Sequence, residues 1–251
     1  MSRPPIASVP AGPVDVPRVV AELADGDAVT PVWRNEVGGL TFRLGGTGDA
    51  DTGDADTRYV KWAAAGTPGI DLAGEAERLA WARQWITVPR VLAYGSDADG
   101  AWLATAALPG RSAVDPRWTA DPATAAAAIG RGLRLLHDAL PVARCPYDWG
   151  VDLRLRRAGV RLAHPPAPDR LVVCHGDACA PNTLLHDDGT FAGHVDLGSL
   201  GVADRWADLA VAAWSTEWNY GPGHDGEVYD AYGVAPDPER IAYYRLLWDL
   251  T

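Results

Sequence analysis

The sequence predicts an α+β chain of two lobes, a small antiparallel β-sheet lobe over residues 1–108 and a mainly helical lobe over 109–251. Three observations lead to it. The first hundred or so residues alternate short β-like runs with turns. The remainder reads as helices with one interruption at 171–198. With 47% hydrophobic residues, the 251-residue chain can bury one large core or two lobes sharing a cleft.

Taken in order, VWRNEVGG, LTFRL and RYVKWA read as strands of a small sheet. Between the last two lies GGTGDADTGDADT, whose repeated GDADT resembles a calcium loop but lacks the glutamate that closes one. A solvated hairpin loop is the reading. DLAGEAERLAWARQW has apolar residues near helical spacing and is followed by Pro89, which predicts a helix of about four turns. VPRVLAYG and AWLATAALPG are two further strands, the second ending in a Pro-Gly turn. ATAAAAIGRGLRLLHDAL is an alanine-rich helix with a core stripe, and His137 within it reads as structural.

Charge and cysteine usage remove several classes. A formal net charge of -11 argues against nucleic acid or an anionic membrane as partner and suits a cationic ligand. No run reaches the roughly 18 apolar residues of a membrane helix, and prolines interrupt the N-terminus where a secretory peptide needs an apolar stretch. Cys145, Cys174 and Cys179 form neither an even disulfide framework nor a paired metal spacing. The expectation is a cytoplasmic protein, a monomer or weak dimer.

The chemistry is concentrated in LVVCHGDACAPNTLLHDDGTFAGHVDLG, residues 171–198. LVVC is a short apolar strand, so Asp177 sits where strand ends face a cleft. Asp187, Asp188 and Gly189 mark a hairpin turn between TLLH and FAGHVD, which folds Asp196 back beside Asn182. One carboxylate is then free to orient a hydroxyl, while an amide oxygen and a second carboxylate share a hard divalent cation. That arrangement serves phosphoryl transfer from a nucleotide. The spacing H-x-D-x-x-x-x-N followed by D-x-G repeats the catalytic-loop and metal-loop order of protein kinases, with SLGVADRWADLAVAAW in place of an activation segment and leading into a helix. Asp204 and Asp208 are expected on one face of that helix near its start, with Asp208 bracing the catalytic loop.

With VCHGDACAPN, HVDLGSLGVADRWADLA, LAGEAERLAWA and the C-terminal PDPERIAYYRLLWDL, the sequence resembles the aminoglycoside phosphotransferases, especially the 3'-phosphotransferase type, from about residue 30 to the end. The resemblance implies a bilobal protein-kinase-like fold and an ATP- and Mg²⁺-dependent kinase of a cationic aminoglycoside, giving antibiotic resistance. Asp177 matches the catalytic aspartate, and Asn182 and Asp196 match the magnesium ligands. Lys61, the one lysine among 22 Lys and Arg, matches the strand lysine that holds the nucleotide phosphates. Glu75 matches its helix partner, with Glu77 as the fallback. Gly38 and Gly39 fall in the nucleotide-covering loop. Backbone groups of Ala106 and Leu108 match the adenine contacts, with Trp33 or Leu103 lining that pocket.

Acceptor binding is expected from carboxylates of Asp148, Asp152, Glu217 and Asp249 and from the terminal carboxylate of Thr251. Arg154, Arg156, Arg157 and Arg161 lie in the same insertion and would repel a polycation unless they face outward. Two departures stand out. Ser199 replaces the arginine the family usually carries after the metal-loop glycine, so either Arg34, Arg43 or Arg205 supplies the charge or phosphate affinity is lower. Trp218 falls near the place of a substrate carboxylate. These departures keep open a streptomycin-type 3''-phosphotransferase, or a kinase of another small amino-containing metabolite.

Overall fold

Alternation in RYVKWAA fixes the inside of the N-terminal unit, because successive strand residues point to opposite faces. In the computed structural model, which describes residues 7–10, 12–45, 56–163 and 165–251, this run is strand β4 (Arg58–Ala64). The two GDADT copies span 48–57, of which 48–55 lie outside the described residues. The chain divides into two compact units, residues 1–83 with 89–109, and 84–88 with 110–251.

The first unit is a six-stranded antiparallel sheet in the order β1-β2-β3-β4-β6-β5, with β1 at Ala7–Ser8, β2 at Val29–Asn35, β3 at Leu40–Leu44, β5 at Val91–Ser96 and β6 at Gly100–Ala106. Val60 turns into a cluster with Leu40, Phe42, Leu44 and Ala104, which Val20 and Ala24 of helix α1 (Arg18–Ala24) close from one side. Lys61, next in the strand, leaves by the other face between Thr41 of β3 and Leu103 of β6. That face meets helix α2 (Leu72–Ala82), which packs on β5 and β6 and is capped by Asp71, whose carboxylate accepts from the Gly74 amide at 2.8 Å.

The second unit begins with β7 (Arg111–Ser112) and the one-turn α3 (Pro116–Thr119), followed by α4 (Pro122–Ala139). Asp121 caps α4 and Pro122 opens it, the pairing expected at a helix start. After α5 (Val151–Ala158) come strands β8 (Leu171–Cys174), β9 (Thr183–Leu185), β10 (Phe191–His194) and β11 (Gly201–Asp204). The chain ends in α6 (Trp206–Tyr220), α7 (Asp225–Tyr232) and α8 (Pro238–Leu250). From Trp206 through Ala213 every residue of α6 is buried, as befits a helix that α4, α7 and α8 all pack against.

Pairing corrects one expectation. Asp204 is not on the helix with Asp208, because Gly201–Asp204 pairs antiparallel with the LVVC strand and α6 starts only at Trp206. Asp204 ends β11, two residues before the helix, and its carboxylate accepts from the Trp206 amide at 3.2 Å. Among the described residues no helix is long and apolar enough to cross a membrane.

Candidate active site

The apolar strand β8 delivers the chain to a turn that only glycine can make. Gly176 has φ +86, and a Cβ there would stand 2.1 Å from the Ser199 carbonyl oxygen. The amides of His175 and Gly176 both donate to the buried Asp208 carboxylate, at 2.6 and 2.9 Å. His137 Nε2 lies 2.9 Å from the same carboxylate and Tyr232 Oη lies 2.9 Å from His137 Nδ1, so α4 and α7 brace the loop through α6. Burial acts to raise the Asp208 pKa, but the His137 hydrogen bond, the histidine charges and the Gly176 amide outweigh it and hold the group below its ordinary value.

Asp177 follows this turn. Asn182, the last residue of a short 3₁₀ turn (Ala180–Asn182), donates its side-chain amide to the Asp177 carbonyl at 2.9 Å and to the carboxylate at 3.3 Å. Both bonds use Nδ2, so Oδ1 is the atom of Asn182 left to meet a cation. The β9–β10 hairpin turns through Gly189, and the Val195 amide donates to the Asn182 carbonyl at 3.0 Å. His175 Nε2 meets the Val195 carbonyl at 2.9 Å, tying the end of β8 to the end of β10. Asp196 comes next with φ +64, in the left-handed region that few non-glycine residues occupy. Burial raises the Asp177 pKa, and the negative charge of Asp196 raises it further.

In the first unit, Lys61 Nζ is 2.7 Å from Glu75 Oε1, on a carboxylate that is only 6% exposed. Glu77 is exposed. Gly38 has φ +90 in the β2–β3 turn, where its amide donates to the Asn35 carbonyl at 3.1 Å. The Gly39 amide donates to Asn35 Oδ1 at 2.7 Å, so both glycine amides are engaged within the turn. The Ala106 amide donates to the Arg90 carbonyl at 2.9 Å, and Leu108 lies just beyond β6, half-buried. Trp33 is half-buried on β2, while Leu103 is core.

The expected acceptor carboxylates are distributed over several places. Asp148 and Asp152 line a groove of about 380 Å³ with Arg156, Pro165 and Tyr244, and none of Asp177, Asn182 or Asp196 lines it. Glu217 Oε1 lies 3.5 Å from Arg245 Nη1. Asp249 and Thr251 are exposed at the end of α8. Trp218, 39% exposed, stacks with Trp214 and Trp248 at centroid distances of 4.7 and 5.5 Å. Of the arginines weighed against Ser199, Arg205 is engaged by Asp169 at 2.6 Å. Arg34 is exposed, whereas Arg43 of β3 lies in register opposite Tyr59 of β4.

Two residues around the loop escaped the sequence reading, and a third, Arg154, is one of the four arginines of the insertion with no sequence signal that it turns inward. Trp149 Nε1 donates to the Gly176 carbonyl at 3.0 Å. Ser215 Oγ accepts from the Ala180 amide at 2.9 Å. Its position seven residues after Asp208 put it on the same helix face, a signal present in the sequence. Arg154 turns inward from α5, with Nε donating to Thr251 Oγ1 at 2.8 Å.

Residues 151–244 match the profile described as the Phosphotransferase enzyme family. The chain is 37% identical to an aminoglycoside 3'-phosphotransferase of Streptomyces fradiae, over 71% of this chain and 79% of that one. It is 36% identical to a streptomycin 3''-kinase of Streptomyces griseus, over 89% of this chain and 96% of that one. Among solved structures, an aminoglycoside 3'-phosphotransferase of type VIII superposes with a TM-score of 0.74 at 33% identity, over 90% of this chain and 94% of that one. A 3''-phosphotransferase of Streptomyces rimosus, in complex with ADP and streptomycin, superposes with a TM-score of 0.68 at 28% identity, over 94% and 99%.

Proposed function

We propose, from the premise that this chain belongs to the aminoglycoside phosphotransferase family, enzymes of kinase-like fold that transfer a phosphate group to a hydroxyl, that its acceptor is the 3'-hydroxyl of an aminoglycoside antibiotic. Its donor is ATP with Mg²⁺, as is typical of the family, and the outcome is resistance.

One observation carries the reading, the convergence of Asp177, Asn182 and Asp196 at a loop pinned by Asp208. Asp177 accepts the hydrogen bond of the acceptor hydroxyl, orients its oxygen for attack and takes its proton as the new O–P bond forms. Asn182 Oδ1 and the Asp196 carboxylate form a hard oxygen donor set of the kind Mg²⁺ takes, and the mutual repulsion of Asp177 and Asp196 is what a divalent cation would relieve. When bound, the magnesium nucleotide supplies the phosphoryl group and offsets its charge. Lys61, held by Glu75, is the residue for the nucleotide phosphates, with the β2–β3 turn as their cover and the backbone of Ala106 and Leu108 for adenine. Transfer is direct and in line and needs no covalent enzyme intermediate, since the chemistry rests on positioning and charge.

A second reading, phosphorylation of streptomycin at its 3''-hydroxyl, has its own support. The likeness to the Streptomyces griseus kinase spans 89% of this chain, more than the 71% shared with the Streptomyces fradiae enzyme.

A coupled ADP-release assay with Mg·ATP and kanamycin, neomycin, 3'-deoxy tobramycin, streptomycin or no acceptor separates the two. Turnover on kanamycin and neomycin without tobramycin supports the 3' reading. Turnover on streptomycin alone moves the chain to the second. No turnover on any acceptor, with ATP bound, overturns the substrate class.

A further inference from the structure

Asn182 is carried by a turn of three residues, Ala180–Asn182, that closes itself with two bonds, from the Asn182 amide to the Cys179 carbonyl at 3.0 Å and from the Thr183 amide to the Ala180 carbonyl. So short a 3₁₀ segment holds its shape poorly alone, and its remaining backbone groups need partners from elsewhere. Pro181 has no amide, so four groups are left: the Ala180 N–H and the carbonyls of Pro181, Asn182 and Thr183.

Each of the four is met. The Val195 and Ala113 amides donate to the Asn182 and Thr183 carbonyls, at 3.0 and 2.8 Å. The other two are met by serine hydroxyls from separate elements. Ser215 Oγ of α6, fully buried, accepts from the Ala180 amide at 2.9 Å. Ser112 Oγ of β7 donates to the Pro181 carbonyl at 2.9 Å.

Both hydroxyls are themselves aimed. Asn219, one helical turn beyond Ser215, donates Nδ2 to the Ser215 carbonyl at 2.8 Å and to Oγ at 3.1 Å, so that oxygen has both acceptor positions filled. Ser112 Oγ receives the Val114 amide at 3.4 Å, which leaves its own proton for Pro181. Gly110, at φ +103, lets the chain enter β7 this close to the hairpin, since a Cβ there would stand 2.6 Å from the Leu185 carbonyl oxygen. Asn182 Nδ2 is engaged by the Asp177 carbonyl and carboxylate, so the place of Oδ1 follows the backbone of the turn.

We infer that Ser112 and Ser215 are positioning residues, which fix the turn Ala180–Asn182 from two sides and thereby set where Asn182 Oδ1 meets a divalent cation. The inference rests on the reading of Asn182 and Asp196 as the Mg²⁺ donors.

The experiment uses Mn²⁺, which takes the same hard oxygen donors and is counted in its free form by EPR. Its Kd is measured on the full chain, with ADP held below the protein concentration, in the wild type, Ser112→Ala, Ser112→Thr, Ser215→Ala and Thr190→Val. Calorimetry of ADP binding in EDTA reports the nucleotide site without metal. Each alanine variant is expected to bind Mn²⁺ about 10-fold more weakly, the effect of removing a group that orients a metal ligand. Metal-free ADP affinity should stay within about twofold. Ser112→Thr keeps the hydroxyl and should restore Mn²⁺ binding. Thr190→Val removes a hydroxyl that donates to Asp188 Oδ1 at 2.6 Å at the hairpin tip, away from the turn, and should leave Mn²⁺ binding unchanged.

Wild-type Mn²⁺ affinity in the alanine variants overturns the inference and leaves the donor reading standing. Metal-free ADP affinity falling as far as Mn²⁺ affinity also overturns it, because the serines would then support the fold alone. So does a Ser112→Thr variant as weak as Ser112→Ala. A wild type that binds ADP but no Mn²⁺ overturns the donor reading itself, and the inference with it.

Discussion

Lys61 Nζ sits 2.7 Å from Glu75 Oε1, which joins the central strand β4 to helix α2 through a carboxylate that is 6% exposed. The ammonium is a compact charge on a flexible stem, and a planar guanidinium placed on the same Cα would displace the glutamate or the nucleotide phosphates proposed to bind there. Lys61→Ala is expected to raise the KM for ATP by roughly 30-fold or more, the effect of cutting one partner of a desolvated charge pair. Lys61→Arg should recover little of this despite keeping the charge. Titrating each variant with ATP by fluorescence or calorimetry checks it, and an Arg variant of wild-type affinity would show that charge alone suffices.

Asp177→Asn keeps the shape of the loop, because Asn182 also bonds the Asp177 carbonyl at 2.9 Å. It removes the group proposed to take the proton. The expected result is a loss of about 10²–10⁴ in kcat with ADP affinity nearly intact. A variant retaining more than half of the wild-type rate would remove Asp177 from the reaction.

Asp208 provides a stability prediction with a defined sign. Its folded pKa is lowered below the unfolded value, so its contribution is fully present above the ordinary carboxylate range and is lost as pH falls through that range toward the folded value. Asp208→Asn replaces one of the two oxygens that accept from the His175 and Gly176 amides with a donor NH₂. The cost is about 3 kcal/mol, and acid denaturation of the variant should be less steep below about pH 4 than that of the wild type. Denaturant melts from pH 3 to 7 measure both, and parallel curves for the two proteins would contradict the assignment.

Gly176→Ala forces a side chain onto φ +86 and against the Ser199 carbonyl. Relief requires moving either the loop that carries Asp177 or the turn after Asp196. A loss of about 2 kcal/mol in stability is expected, together with a fall in kcat larger than any change in ATP affinity. Stability and kcat both at wild-type values would show that the turn is not strained as described.

Much of this site was legible because its parts are close in sequence. Asp177, Asn182, the Asp187–Gly189 turn and Asp196 lie within one stretch of strand, loop and hairpin, where local turn chemistry dictates which residues meet. The Lys61–Glu75 pair followed from the family resemblance, and the alternation of β4 places Lys61 on the α2 side. Other features depended on pairing over long distances. β11 was hidden in the approach to α6, because GVAD becomes a strand only by pairing with LVVC some thirty residues earlier. The short α1 gains its place from burying Val20 and Ala24 against the sheet, which its seven residues do not announce. Arg154 was one of four arginines with nothing in the sequence to say which faces inward, since its partners Trp149 and Thr251 are set by tertiary packing.

The most direct test of the whole account is to incubate the wild-type protein with Mg·ATP and kanamycin A and to locate the product phosphate by mass spectrometry and ³¹P-coupled NMR. The account predicts one added phosphate, on the 3' oxygen, with one ADP released per product. Phosphate on another position would contradict the regiochemistry, and ADP formed without phosphorylated kanamycin would contradict transfer to the acceptor altogether.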